Sequence, residues 1–118
     1  MRLEDFENMA VQEALPLGTH HVTFRGLRYR TDKLGDVVGA FIDIDGFDNL
    51  YIPIREKDNY QLEFLRRQLG VKSYKASDFN AKANTEIICS RYMSADGQYT
   101  NTSFNPNPRE SYEVEEFA

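Results

Sequence analysis

The stretch Phe24-Arg25-Gly26-Leu27-Arg28-Tyr29-Arg30 (FRGLRYR) decides how the chain is read. It places three arginines and one glycine in what is otherwise a β-strand pattern. Upstream, Val22 and Phe24 share one parity; downstream, Leu27 and Tyr29 share the other. Side chains alternate faces along a strand, so a slip of one residue exchanges the two faces. A β-bulge at Gly26 adds the one residue needed, and glycine suits a bulge that requires positive φ. With the phase reset there, Val22, Phe24, Leu27 and Tyr29 all face a core. Arg25, Arg28 and Arg30 then share the outer face. A long, bent first strand of this kind is what a small barrel needs to turn a corner.

The strands that follow are consistent with this start. Leu34-Gly35-Asp36 reads as a turn. Val37 to Asp45 alternates, with Val38, Ala40, Ile42 and Ile44 in its apolar row and Val37, Gly39, Phe41 and Asp43 in the other. Asp45 to Asn49 (DGFDN) is turn chemistry. Leu50, Ile52 and Ile54 form the inward row of a third strand, Leu50 to Arg55, leaving Tyr51, Pro53 and Arg55 outward. Pro53 has no N–H, so this strand is expected at an edge or to be irregular there. Phe41 and Tyr51 then fall on the same outer face, opposite or diagonal to one another.

A helix comes next. Leu62, Leu65 and Leu69 make its stripe, broadened by Phe64 or Tyr60, and Gly70 is the terminator. Asp58 and Gln61 have capping-box spacing. Residues 71–84 are polar and read as a loop or as a short helical turn capped by Ser77. A hairpin closes the domain, with Glu86 to Met93 and Gln98 to Phe104 around an Ala95-Asp96-Gly97 turn. Three meandering strands, one helix and a hairpin form a mainly β chain. The order is that of the five-stranded oligonucleotide/oligosaccharide-binding (OB) Greek-key barrel, with its helix between strands 3 and 4. The expected organisation is an N-terminal arm or short helix over 1–17, an OB-like domain over 18–105 and a flexible acidic tail over 106–118.

Composition narrows the function classes. The 118 residues suffice for one modest core. No run approaches the roughly 18 apolar residues of a membrane span. The acidic start lacks the basic-then-apolar layout of a signal peptide. The lone Cys89 cannot form an internal disulfide, so a cytoplasmic protein is expected. No phosphate-loop, dinucleotide-binding or nucleophile-elbow motif is present. The adjacent His20 and His21 face opposite sides of a strand, and Asp43, Asp45 and Asp48 lack EF-hand spacing. No catalytic residue, metal site or cofactor is therefore assigned, and Cys89 reads as a small buried hydrophobe.

Net charge is −5, yet its distribution is uneven. Residues 19–33 carry four cations against Asp32, and residues 63–75 carry four against Glu63, each a net +3. Residues 1–14 and 109–118 each carry four acids against one arginine, a net −3. Arg66 and Arg67 also suit the C-terminal end of a helix dipole. A cationic surface interleaved with aromatic rings is how single-stranded nucleic acid is held, with cations on phosphates and rings on bases. The candidates are Phe41 and Tyr51 as stacking platforms and Arg25, Arg28, Arg30 and Arg55 as phosphate contacts. Lys33 lies on the adjoining turn, and Arg91 and Tyr92 on the fourth strand. The alternative is an OB-like interaction or structural module, in which the same face is covered by a dimer copy or another partner.

The strand order, the bent first strand with its glycine, the Arg/aromatic face and an acidic end with a late aromatic resemble bacterial and phage single-stranded DNA-binding proteins. The likeness is strongest to small phage or mobile-element members. It covers roughly residues 19–104 by pattern and 109–118 by composition. It implies single-stranded DNA as ligand, a homo-oligomer, and a tail that recruits replication and recombination proteins. In that family the tip is an aspartate-rich run, a proline and a final phenylalanine. Here Glu113, Glu115, Glu116 and Phe117 stand in those places, without the proline and with Ala118 after the phenylalanine. The same acids are also suited to occupying the basic face in cis until DNA displaces them.

Overall fold

The structure is a computed structural model and describes residues 1–8 and 13–107. The elements are α1 (Leu3–Glu7), β1 (Gly18–Thr31), β2 (Val37–Ile44), β3 (Leu50–Pro53), α2 (Tyr60–Leu69), α3 (Ala76–Asn80), β4 (Thr85–Met93) and β5 (Thr100–Ser103). The five strands form one antiparallel sheet in the order β3-β2-β1-β4-β5. The fold is thus mainly β with short helices. The sheet is open: among the described residues β3 and β5 are its two edges, and no ladder joins them. Each edge strand has only four residues, and β3 ends at Pro53, which has no N–H to offer a further ladder.

The bulge lies where the phase slip puts it. Phe24 pairs with Ile44 and Gly26 with Asp43, so Arg25 is the extra residue. Val22, Phe24 and Leu27 are buried and Tyr29 packs against the core. The reason for the glycine is different from the expected one. Gly26 is not among the positive-φ glycines. What it provides is room: a Cβ there would stand 3.1 Å from Asn80 Oδ1.

β1 serves two ladders with its two halves. Gly18 to Phe24 pairs with β4, and Phe24 to Thr31 pairs with β2. On the side away from β2, the second half meets α3 and the residues after it. Leu27 N donates to Asn80 Oδ1 at 2.7 Å, and Asn80 Nδ2 donates to Leu27 O at 3.2 Å. Asn84 N donates to Phe24 O at 2.7 Å. One amide side chain therefore supplies the donor and acceptor that a strand would have supplied.

Glutamines do the same on α2. Gln68 Oε1 accepts from Ile88 N, while its Nε2 donates to Ile88 O and Phe104 O. Gln61 Oε1 accepts from Phe104 N at 2.7 Å. Gln61 is thus committed to the sheet and makes no capping box. The N-cap is Asn59, not Asp58, and its side chain makes no cap bond. Leu62, Leu65 and Leu69 bury as a stripe, and Gly70 ends the helix in the left-handed region (φ 70°). Phe64 broadens the stripe, whereas Tyr60 is 68 % exposed.

Two helices, not one, separate β3 from β4. The sequence around α3 is polar, but Phe79 is fully buried and anchors that short helix to the same core that holds Phe24 and Phe104. Its N-cap is Lys75 rather than Ser77. At the N-terminal side, Glu13 bridges to Phe47 and Leu15 is buried, so this segment joins the core next to the β2–β3 turn. Every residue of α1 is exposed.

Candidate nucleic-acid interface

Register alone assembles the centre of the site. Arg28 pairs with Phe41, and Phe41 pairs with Tyr51, so the three form a row across β1, β2 and β3. The neighbouring row is Arg30, Gly39 and Pro53. Both rows lie on the outer face, because the alternate residues Leu27, Ala40, Ile42, Leu50 and Ile52 are buried.

The side chains close into one cluster. The rings of Phe41 and Tyr51 are 5.1 Å apart between centroids and tilted by 51°. The Arg28 guanidinium lies 4.7 Å from the Phe41 centroid, and that of Arg30 lies 5.9 Å from the Tyr51 centroid. Arg30 Nη1 also donates to the Tyr51 hydroxyl at 3.5 Å, and that hydroxyl donates to Val38 O at 3.4 Å. Arg28, Arg30 and Tyr51 are exposed and Phe41 is half-buried. An aromatic pair is thus presented to solvent between two cations, each near enough for a cation–π contact.

The other candidates sort by position. Arg25 also points away from the core, but it is spent internally: its guanidinium pairs with Asp45 at 3.2 Å and donates to Asn84 Oδ1. It ties the bulge to the β2–β3 turn and to the start of β4, apart from Arg28 and Arg30. Lys33 is exposed on the β1–β2 turn, whose shape is held by Asp32 Oδ1 accepting from Leu34 N and Asp36 N. Arg55 follows the outward row of Tyr51 and Pro53. It lines a shallow cleft with Pro53, Asp58, Tyr60 and Gln61.

Arg91 and Tyr92 do not join the Arg28–Phe41–Tyr51 row. Arg91 pairs with Gly18 and Thr102, and Tyr92 with Asn101, on the ladder at the opposite end of β1. Arg91 shares the parity of the buried Ile87 and Cys89, with its Nε buried. The tail residues Glu113, Glu115, Glu116 and Phe117 lie outside the described residues.

The two arginines of the second basic segment are also held internally. Glu63 accepts from Arg66 at 3.0 and 2.6 Å, from Arg67 at 2.9 Å and from the Tyr74 hydroxyl. Arg66 donates as well to Val71 O at 2.7 Å. The Arg66 hydrogen bonds, then that of Tyr74, hold the Glu63 carboxyl down at about 2. Cys89 is fully buried, and burial pushes its thiol up to about 12, against the opposing charge of Arg91. His20 Nε2 donates to Pro16 O, and His21 pairs with Glu86 at the surface. Among the described residues, no three His, Cys, Asp or Glu are grouped to hold a metal ion, and no helix is long and apolar enough to cross a membrane.

Sequence reasoning missed Gly39. A Cβ built there would stand 2.5 Å from Tyr51 Cε2 and nearer still to Cζ and the hydroxyl oxygen. Tyr51 leans from β3 across β2 into the space that the missing side chain leaves. A glycine on the outer row of a strand, one residue pair from an outward tyrosine, was the available signal. The chain matches no protein-family model. No curated protein matches it either.

Proposed function

We propose that the protein is a non-catalytic binder of single-stranded DNA, using the outer face of β1, β2 and β3 on an OB-like scaffold. The observation that carries this reading is the pair of exposed Tyr51 and half-buried Phe41, flanked by Arg28 and Arg30. Rings stack on bases of any sequence and guanidiniums meet phosphates, so the cluster suits a ligand that alternates the two. Lys33 and Arg55 extend the cationic reach at either side. The OB-like reading draws support from the strand order and from the way β1 divides itself between two ladders. Partner recruitment or autoinhibition by the acidic tail belongs to the same reading.

The test is a titration of labelled oligo-dT, followed by anisotropy at 50 and 200 mM salt. Each neutralised phosphate contributes about 0.7 to the salt slope for a single strand. Engagement of three or four cations then weakens binding about 20- to 50-fold between these two salts. No binding at 50 mM, with or without residues 109–118, rejects the proposal. Loss of self-association, rather than of DNA binding, in a Phe41→Ala, Tyr51→Ala double variant assigns the face to a protein interface instead.

A further inference from the structure

We infer that Gly39 is a positioning residue for base stacking: its missing side chain is the slot that sets the Tyr51 ring as a platform. This rests on the proposed single-strand reading and adds to it the residue that shapes the stacking surface. Tyr51 stands on β3, yet its hydroxyl end lies over Gly39 on β2, next to Val38 O and Arg30. A tyrosine on an edge strand is otherwise free to swing outward among its staggered rotamers. Here the slot, the 5.1 Å neighbour Phe41 and the Arg30 guanidinium fix it from three sides. Any Cβ at residue 39 falls well inside 3.0 Å of the ring, a distance that real Cβ atoms do not show. The ring must then leave, because the added Cβ is fixed to the β2 backbone whereas all three atoms it meets belong to the rotatable Tyr51 side chain. Gly39 itself has no side chain with which to touch a ligand, so its influence passes through Tyr51. The chemical class served is a planar nucleobase, laid against the ring with its phosphates toward Arg28 and Arg30.

The experiment is a double-mutant cycle on oligo-dT binding with Gly39→Ala, Tyr51→Ala and the combination. Gly39→Ala is expected to weaken binding as much as Tyr51→Ala does, about 5- to 150-fold for one stacked base. The combination is expected to lose nothing more, since the two act as one unit. Full additivity, or a Gly39→Ala protein that binds like the wild type, overturns the inference. Wild-type protein that fails to bind oligo-dT overturns the underlying function instead, so the two failures are distinguishable. A second measurement needs no variant. In the unaltered protein, the Gly39 Hα resonance should be shifted by the Tyr51 ring current and should move with the Tyr51 ring signals on adding oligo-dT. Gly39 signals that stay still while those of Tyr51 move count against the slot.

Discussion

At the scale of single residues, the site is a matter of which cations are already engaged. Arg28 and Arg30 rest on aromatic rings, a contact worth about 0.5–1 kcal/mol at an exposed site. Arg25 is held by Asp45 and Asn84. Replacing Arg28 or Arg30 by alanine should therefore reduce the salt slope of oligo-dT binding by about 0.7 each. Arg25→Ala should leave that slope unchanged while lowering thermal stability. A slope that falls equally for all three would show Arg25 reaching phosphate after all. Cys89 gives a separate check. A thiol at about 12 with no exposed surface is almost wholly protonated at pH 8 and out of reach. Ellman's reagent should react with it only at the rate at which the fold opens. Immediate reaction in the native state would contradict its burial.

Among elements, amide side chains take over where ladders stop. Asn80 completes β1, Gln68 completes β4, and Gln61 holds the end of β5. Asn80→Ala strands the buried Leu27 N–H and is expected to cost about 1–3 kcal/mol in denaturant unfolding. Gln68→Ala, which frees three backbone groups, should cost at least as much. Glu63 joins α2 to the following loop, and its stability contribution has a definite pH window. Its folded pKa, about 2, lies below its ordinary value of 4.5. Its contribution is full above pH 4.5 and is lost as the pH falls toward 2. Glu63→Gln should flatten the fall in melting temperature across that range. These devices explain what was legible in the sequence. Strands, bulge and helix stripe were readable because burial imposes period two or 3.6 on apolar residues. The Arg28–Phe41–Tyr51 row was readable in part, because parity gives the face. It does not give the partners: Arg25 has outward parity and is still consumed by Asp45. Gln61 reads as a cap, and residues 71–84 leave loop and short helical turn undecided, because a side-chain amide that replaces a strand leaves no periodic trace. Gly39 was hidden for the related reason that its role is the volume it leaves to a residue on another strand.

For the whole molecule, the notable balance is between an acidic chain and one locally basic face. Removing residues 109–118 changes the net charge from −5 to −2, since that segment carries a net −3. Oligo-dT affinity should rise on truncation, most at low salt, where screening is weakest. Equal affinity with and without the segment would remove it from any part in DNA binding. The division of β1 between two ladders has a kinetic consequence. Its second half meets β2 across a short turn, whereas its first half meets β4 at a sequence separation of 71 for Thr19 and Ser90. Closing the longer loop costs more chain entropy, and such distant pairings slow the search for the native state. The β1–β2–β3 meander, which holds Arg28, Phe41 and Tyr51, is thus expected to form early, with β4 zipping on afterwards. Truncating Ile42 should then mainly slow folding, and truncating Ile87 should mainly hasten unfolding. One strand would be laid down in two instalments, with Gly26 at the join.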